Sequence, residues 1–504
     1  NGSENLRVYS VISKATDMLR FSYSNEIGST AAAPSGMISR LRRIFPNAKQ
    51  TSTASLNHAG ETDAAAFAEL ASGVRNMIDS GEINESLNCL YSHFSGSESY
   101  FSRLDMLDKM FFNDNSPAAL GSETAMRLYG RQLMGTATRL ETFNQCPFRY
   151  LIQFGMRLKE RPQRTEKAND RGSFIHEAFD KLIKEYLNSN CDFATISAAD
   201  IHEKLERILP PMMIEHNNGI LLDSARMRAE FQRIAELVET AALAVVKQIN
   251  AGKFRPFASE VNFGHDNDAY PPLRIQAENG VTYSITGIAD RVDKYVSPSN
   301  EEFIRIIDYK TYGQTFDYTE LANGLRIQLP LYASAMQNAM RKETNNPLFT
   351  AGMYYLHIGD AQASEGISED KAETEIQRSF RMNGLTLNDE NILEAMDSAF
   401  PGSSDVLYGV RYSKKEGMFK GSLADEDEME ETLEFAKKIA GKTLRAIMRG
   451  RIEVSPTEYH GKTACKYCPY ISICCFDTTA GCRYRRPRAV DADKFFRREN
   501  KVKN

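Results

Sequence analysis

The sequence predicts an α/β fold, a sheet core with helical additions, and three observations lead to it. Strand-like runs rich in Val, Ile, Tyr and Phe crowd into residues 257–311, and a further apolar run occupies Phe349–Ile358. Amphipathic helical stretches precede and separate them, at Arg171–Leu187, Ser224–Asn250 and Gly324–Arg341. The resulting order of helix, several strands, helix, strand is that of a sheet covered by helices.

In chain order, Leu6–Ile12 (LRVYSVI) reads as a strand and the Ser/Thr/Gly/Ala-rich stretch Gly28–Ser35 as a loop. Pro34 and Ser35 then introduce a helix with Met37, Ile38, Leu41 and Ile44 on one side. Residues 61–139 read as helical, interrupted at Ser80-Gly81, Ser95-Gly96-Ser97 and Asn113–Pro117. In Arg171–Leu187 the residues Phe174, Ala178, Leu182 and Ile183 form an apolar side behind a Gly-Ser start. Strands are expected at Phe257–Phe263, Leu273–Glu278, Val281–Tyr295 and Glu302–Thr311, each bounded by turn residues.

The 504 residues suit two to four domains with large cores, which excludes a small disulfide scaffold. No stretch approaches the roughly 20 consecutive apolar residues of a membrane-spanning helix. With no export signal either, the expected compartment is cytoplasmic and no membrane partner is expected. The net charge of -5 does not announce a nucleic-acid binder. Charge is nonetheless uneven: residues 483–504 hold nine Lys/Arg against three Asp/Glu, and Asp425–Glu431 is an acidic run suited to a helix start.

Chemistry concentrates in two neighbouring strand candidates, GIADRVD with Asp290 and IIDYK with Asp308 and Lys310. Side chains alternate along a strand, so Asp308 and Lys310 share a face that Tyr309 does not. If the strands pair, Asp290 joins that face, setting two carboxylates beside one ammonium. Such oxygen ligands suit Mg²⁺ or Mn²⁺, which can polarise a phosphodiester and acidify a bound water. Lys310 would then orient the attacking water or balance charge on the phosphate. A DxK pair alone is usually a surface ion pair. Here Ile304, Ile306 and Ile307 imply a half-buried strand, in which charges need partners or a metal. His176 could complete the metal shell, and Gln328 and Tyr332, four apart on one helix face, could contact phosphate or water.

Taken together and in this order, GSFIHE, GIADRVD, IIDYK and QLPLY resemble the RecB-type branch of the PD-(D/E)xK nuclease superfamily, whose core is restriction-endonuclease-like. The resemblance implies metal ligation by His176, Asp290, Asp308 and the Tyr309 backbone carbonyl. It makes Lys310 the catalytic lysine and Gln328 and Tyr332 active-site support. Glu260, where relatives often carry an acid, takes a weaker supporting role.

Eight cysteines are present: Cys89, Cys146, Cys191, Cys465, Cys468, Cys474, Cys475 and Cys482. The group CKYCPYISICC offers Cys465, Cys468 and Cys474 at C-x2-C-x5-C spacing. A zinc site would ordinarily bring a second CxxC or a His pair, and only His460 is near. Cys146, in TFNQCPFRYLI far upstream, can supply a fourth thiolate, and four thiolates suit a [4Fe-4S] cluster. One cysteine before the nuclease motifs and three after them resemble the iron-sulfur staple of the AddB family, the second subunits of bacterial AddAB helicase-nucleases. Cys475 directly follows Cys474, and spacing favours Cys474 as the ligand. Cys89 and Cys191 read as ordinary thiols.

On this resemblance the chain divides into the end of a helicase-like region (1–60), a helical segment (61–139), a nuclease domain with its cluster (140–484, with a helical insertion at about 190–250) and a basic tail (485–504). The absence of GxxxxGK[ST] leaves no complete ATP-binding phosphate loop, and the start without Met suggests a C-terminal portion of a longer protein. The implied function is a divalent-metal-dependent exonuclease acting on single-stranded or unwound DNA, on the 5'-ended strand, in double-strand-break repair and recombination. The implied partner is an AddA-like motor subunit. Arg171, Arg291 and Arg326 are basic residues suited to the DNA backbone, and equally to plain ion pairs. Competing readings are a CRISPR-associated adaptation exonuclease, which is normally shorter, an inactive nuclease-fold DNA-binding scaffold, and a redox enzyme. Four-Cys ligation leaves no open iron for the last.

Overall fold

A computed structural model describes residues 2–24, 26–27, 30–51, 62–81, 85–111, 119–159, 168–189, 191–216, 219–265, 268–276, 280–359, 368–479 and 481–496. The chain forms two compact units, Asn1–Asn113 and Asp114–Asn504. Among the described residues no helix is long and apolar enough to cross a membrane.

The smaller unit has its own core, in which helices Asp63–Ser80, Glu85–Ser95 and Phe101–Phe111 bury Ala66, Leu70, Leu87, Phe94, Leu104 and Leu107. Thr62 caps the first helix through the Ala65 N–H, and Gly81 ends it at φ 74°, a left-handed conformation that glycine adopts without strain. Ser35 likewise starts the helix Gly36–Ile44. Leu6–Ile12 is helical, as part of Gly2–Ile12, and not a strand. Its β-prone residues find no partner strand, whereas a helix satisfies its backbone groups internally. The expected loop at Gly28–Ser35 instead contributes to a short hairpin, Glu26–Ile27 with Thr30–Ala31, while Gly28 and Ser29 lie outside the described residues. The interruption at Asn113–Pro117 also lies outside them, as do residues 497–504 of the tail.

The larger unit is built on a six-stranded sheet. Its elements, in chain order, are β1 (Gln132–Gly135), α1 (Ala137–Gln145), α2 (Ala168–Asn188), α3 (Ala198–Glu215), α4 (Ala225–Ala251), β2 (Arg255–Phe263), β3 (Leu273–Gln276), β4 (Thr282–Ile285), β5 (Gly287–Val296) and β6 (Glu302–Lys310). There follow α5 (Gln328–Met340), β7 (Leu348–His357), β8 (Asn383–Leu387), β9 (Leu423–Ala424) and α6 (Glu426–Met448). The strand order is β9-β8-β7-β6-β5-β2, with β6 parallel to β7, β8 parallel to β9 and the other neighbours antiparallel. The expected single strand Val281–Tyr295 is broken at Thr286 into β4 and β5, which belong to different sheets. β4 is the centre of a three-stranded sheet with β1 and β3.

Burial accounts for the layers. α2 turns Phe174, Ile175, Ala178, Phe179, Leu182, Ile183 and Tyr186 inward and packs on β2, α3 and α4. On β6, Ile304, Ile306, Ile307 and Tyr309 are all buried, as a central strand covered on both faces requires. α5 lies over β6 and β7 and is in turn covered by α6. The acidic run begins α6 with a capping box: Asp425 accepts from the Glu428 N–H and Glu428 accepts from the Asp425 N–H.

Within the sheet, Asp293 is fully buried between two arginines. Arg291 Nε lies 3.0 Å from Asp293 Oδ1, and Arg305 Nη2 lies 2.8 Å from Oδ2. Both guanidiniums are essentially inaccessible, so Arg291 does not reach the DNA backbone as expected. Alternation along β5 sets Arg291 and Asp293 on one face, and the cross-strand register places Arg305 opposite Asp293. Removing the shared carboxylate strands two buried cations. Asp293→Ala is therefore expected to lose about 3–5 kcal/mol of stability in urea unfolding, whereas Arg171→Ala, at a half-buried pair with Glu230, should lose about 1 kcal/mol or less.

Candidate active site

The β5–β6 ladder stops at Arg291–Ile307. Beyond it the strands part: Gly287–Ala289 pairs with Val261–Phe263 of β2, while Asp308–Lys310 pairs with Tyr355–His357 of β7. This fork leaves backbone groups facing no neighbour, and Asp290 fills the gap, its Oδ2 accepting the Tyr309 N–H at 2.6 Å. The β2–β5 register on either side sets Glu260 across from Asp290, and Asp290 and Asp308 each stand one step beyond the last β5–β6 pair, so three acids from three strands lie in one row.

α2 closes the row from one side. Its His176 Nδ1 is 3.3 Å from Asp290 Oδ2, and its ring meets that of Tyr309 edge-on at 5.8 Å. His176, Glu260 and Asp290 each offer a ligand atom within 4.8 Å of the others, a set able to hold a metal ion. Glu260 adopts φ 47°, a conformation non-glycine residues visit rarely and one that collects at functional sites. Sequence reasoning gave it only a supporting role, because its contribution depends on the β2–β5 register.

Asp308 stands beside this set and is held from the other side. Its Oδ1 accepts from Gln328 Nε2 at 3.0 Å, and its Oδ2 pairs with Lys310 Nζ. Tyr332, one turn further along α5, packs edge-on against Phe263 at 5.2 Å. A methyl group on Gly287 would come within 2.5 Å of the Tyr332 hydroxyl, so the glycine of GIADRVD admits the phenol to the start of β5. Tyr309, expected to lend a carbonyl, gives its N–H to Asp290, and its ring packs on Phe179. A residue the sequence did not single out also takes part. Buried Glu141, on α1, accepts from the N–H groups of Ile327 and Gln328 at 2.7 and 2.9 Å and so caps α5.

The electrostatics follow from burial. Burial and then the Asp290 charge push Asp308 up to about 7 against the pull of Lys310 and His176. Burial, then Asp290 and Asp180, push Glu260 up to about 7. Burial works to lower the His176 pKa, but its hydrogen bond to Asp290 and the charges of Asp290 and Asp308 raise it overall. Crowded carboxylates of this kind retain protons until a cation takes their place.

The sequence profile of the PD-(D/E)XK nuclease superfamily matches residues 136–475, two thirds of the chain and every element of this site. The chain belongs to the PD-(D/E)XK nuclease superfamily. Among curated proteins it is similar to the B-type subunit of the ATP-dependent helicase/deoxyribonuclease of Clostridium tetani, with 30% identity across 96% of this chain and 42% of that protein. The proteins of the same name from Acetivibrio thermocellus (29%, 94% of this chain, 42% of that one) and Alkaliphilus metalliredigens (26%, 99% and 44%) are also similar. The chain thus spans less than half the length of these relatives.

In this PD-(D/E)XK nuclease the expected thiols meet at one place. Cys146, Cys465, Cys468 and Cys474 line a single small cavity, with Phe148, Val454, Pro456, Ile471 and Phe476 among its walls. Cys146 is buried at the end of α1, and burial raises its thiol, as it raises Cys474 and pushes Cys465 up to about 11. Backbone bonds from Phe148 to Glu453 and from Thr457 to Gln145 join the two distant segments. Cys475, at φ 50°, ends the short helix that carries Cys474 and is exposed. Cys89 is exposed and Cys191 half-buried, both outside this cavity. Arg171 pairs with Glu230 at 3.1 Å and Arg326 with Glu320 at 3.0 Å, both part-exposed.

The raised carboxyls have a measurable consequence. Their folded values exceed those of an unfolded chain, so the folded protein holds extra protons between about pH 4 and 7 and loses that stabilisation as pH rises. Thermal unfolding without added metal should therefore show stability falling through that window. Mn²⁺ should raise Tm more at pH 8 than at pH 6, where protons compete for the same oxygens.

Proposed function

We propose that this chain is the nuclease-bearing C-terminal part of an AddB-like subunit. In this reading it is a divalent-metal-dependent DNA exonuclease, acting on single-stranded DNA, the 5'-ended strand in double-strand-break processing, as that strand is delivered by an AddA-like motor partner. The observation that carries the proposal is the row of Glu260, Asp290 and Asp308 in the sheet fork, with His176 at one side and Lys310 at the other. The likeness to B-type helicase/deoxyribonuclease subunits along nearly the whole chain supports the wider assignment.

The donors fit Mg²⁺ or Mn²⁺: carboxylate oxygens and one imidazole are gathered in one place, and burial pushes Glu260 and Asp308 up where a cation would displace their protons. His176, Glu260 and Asp290 would hold the ion, joined by Asp308. When bound, the ion supplies Lewis-acid polarisation of a phosphoryl oxygen. Lys310, its side chain one fifth exposed, donates hydrogen bonds from Nζ to the attacking water or to a non-bridging oxygen as charge builds there. Gln328 keeps Asp308 in place, and Tyr332 closes the wall behind it. Hydrolysis joins the water oxygen to phosphorus and breaks the ester P–O bond, leaving a phosphate and a hydroxyl end.

Four thiols around one apolar-walled cavity fit a [4Fe-4S] cluster held by Cys146, Cys465, Cys468 and Cys474. When bound, such a cluster contributes folding energy by tying together segments at opposite ends of the nuclease region.

The proposal is tested by Mg²⁺-dependent cleavage of end-labelled single-stranded DNA by anaerobically purified protein, alone and with an AddA-like partner. Asp308→Ala and Lys310→Ala should each abolish cleavage, by a factor of about 10³ or more on the scale of lost transition-state contacts. Folded wild-type protein that stays inactive even with the motor partner would make it a scaffold. Iron analysis should give about four atoms per chain. Cys146→Ala should lose the iron and lower Tm, whereas Cys89→Ala should do neither.

A further inference from the structure

α5 begins without a cap of its own. Its cap position is Ile327 and its first residue Gln328, and no side chain at the cap position accepts a hydrogen bond. A side chain at position 327 would reach the N–H of the second or third helical residue, here Leu329 and the N–H-less Pro330, and not the N–H groups of residues 327 and 328. Instead both are satisfied by one oxygen of Glu141, 186 residues away from Ile327 in the chain. Glu141 is buried, and its pKa is raised by burial even though the two N–H groups and the charges of Arg326 and Lys310 oppose that rise. A buried acid is a costly way to cap a helix. What it adds over a local cap is position, because it fixes the start of α5 against α1.

The residue fixed in this way is Gln328. Its backbone N–H meets Glu141 Oε1 at 2.9 Å, and its side-chain Nε2 donates to Asp308 Oδ1 at 3.0 Å. The path from Glu141 to Asp308 therefore consists of two hydrogen bonds through a single residue. α1 is itself anchored at the far end, where Asn144 bonds the Gly324 carbonyl and the Thr443 hydroxyl. We infer that Glu141 is a positioning residue for the metal-binding centre, setting the orientation of the Asp308 carboxylate through Gln328. This rests on the reading of Asp308 as part of that centre.

The test is a double-mutant cycle read as Mn²⁺ affinity by calorimetry on the full chain, with cleavage kcat and KM beside it. Outer partners of metal ligands are worth about tenfold or more in affinity or activity. Glu141→Ala and Gln328→Ala should each weaken Mn²⁺ binding by about that factor and lower kcat with little change in KM. The double variant should be no worse than Gln328→Ala alone. Glu141→Gln keeps an acceptor oxygen and should recover most of the affinity, which also guards against misfolding of the alanine variant. A Glu141→Ala protein with lower Tm but wild-type Mn²⁺ affinity would reduce Glu141 to a structural cap and overturn the inference. So would losses that add in the double variant. Unchanged Mn²⁺ affinity in Asp308→Ala would instead sink the underlying site assignment.

Discussion

The candidate site depends on one substitution of hydrogen-bonding partners: a carboxylate stands where a neighbouring strand's carbonyl would. Where β5 and β6 separate, the Tyr309 N–H is left without a ladder partner, and Asp290 accepts it. Buried backbone donors demand such a partner. Asp290 can therefore be neither apolar nor absent without opening the fork further. Because the same carboxylate oxygen also faces His176, the group that seals the sheet is also at the centre of the possible metal set. Stability and chemistry draw on one side chain here.

Charge is distributed around the fork in a complementary way. On one side of β2, β5 and β6, Glu260, Asp290 and Asp308 crowd together, and burial and then the Asp290 charge push Glu260 and Asp308 up. On the other, Arg291 and Arg305 share Asp293, leaving an excess of positive charge inside the sheet. Each cluster alone would carry a heavy desolvation cost. Placed back to back across two strands, each lies in the field of the other, and Tyr309, which touches both His176 and Arg291, sits between them.

Much of this was legible in the sequence because it is local. The alternation in IIDYK sets Asp308 and Lys310 together whatever else the chain does, and the isoleucines around them announce burial. The same alternation in GIADRVD places Arg291 opposite in facing to Asp290 and alongside Asp293, a signal against solvent contact that the basic side chain alone obscured. Other features depend on partners that spacing does not reveal. Glu260 gains its place from the β2–β5 register, and Glu141 from a helix start 187 residues away at Gln328. β1 is four residues long and becomes a strand only because β4 offers it a parallel edge. Leu6–Ile12 is the converse case, in which strand-prone residues without such an edge fold as helix.

The closing cysteines have a consequence for how the protein is made. All residues of the acidic row, together with Gln328 and Tyr332, are translated well before Cys465–Cys474, which must return to Cys146 at the beginning of the nuclease region. At roughly 5–20 residues per second, the ribosome adds the stretch between Lys310 and Cys465 in about eight to thirty seconds. During that interval α1 has one end of its clasp and not the other, and β9, the last strand of the sheet, is missing for most of it. A nascent chain of this protein thus carries the complete set of acids, and the strands that place them, before the segment that joins Cys465–Cys474 to Cys146 exists to close the region.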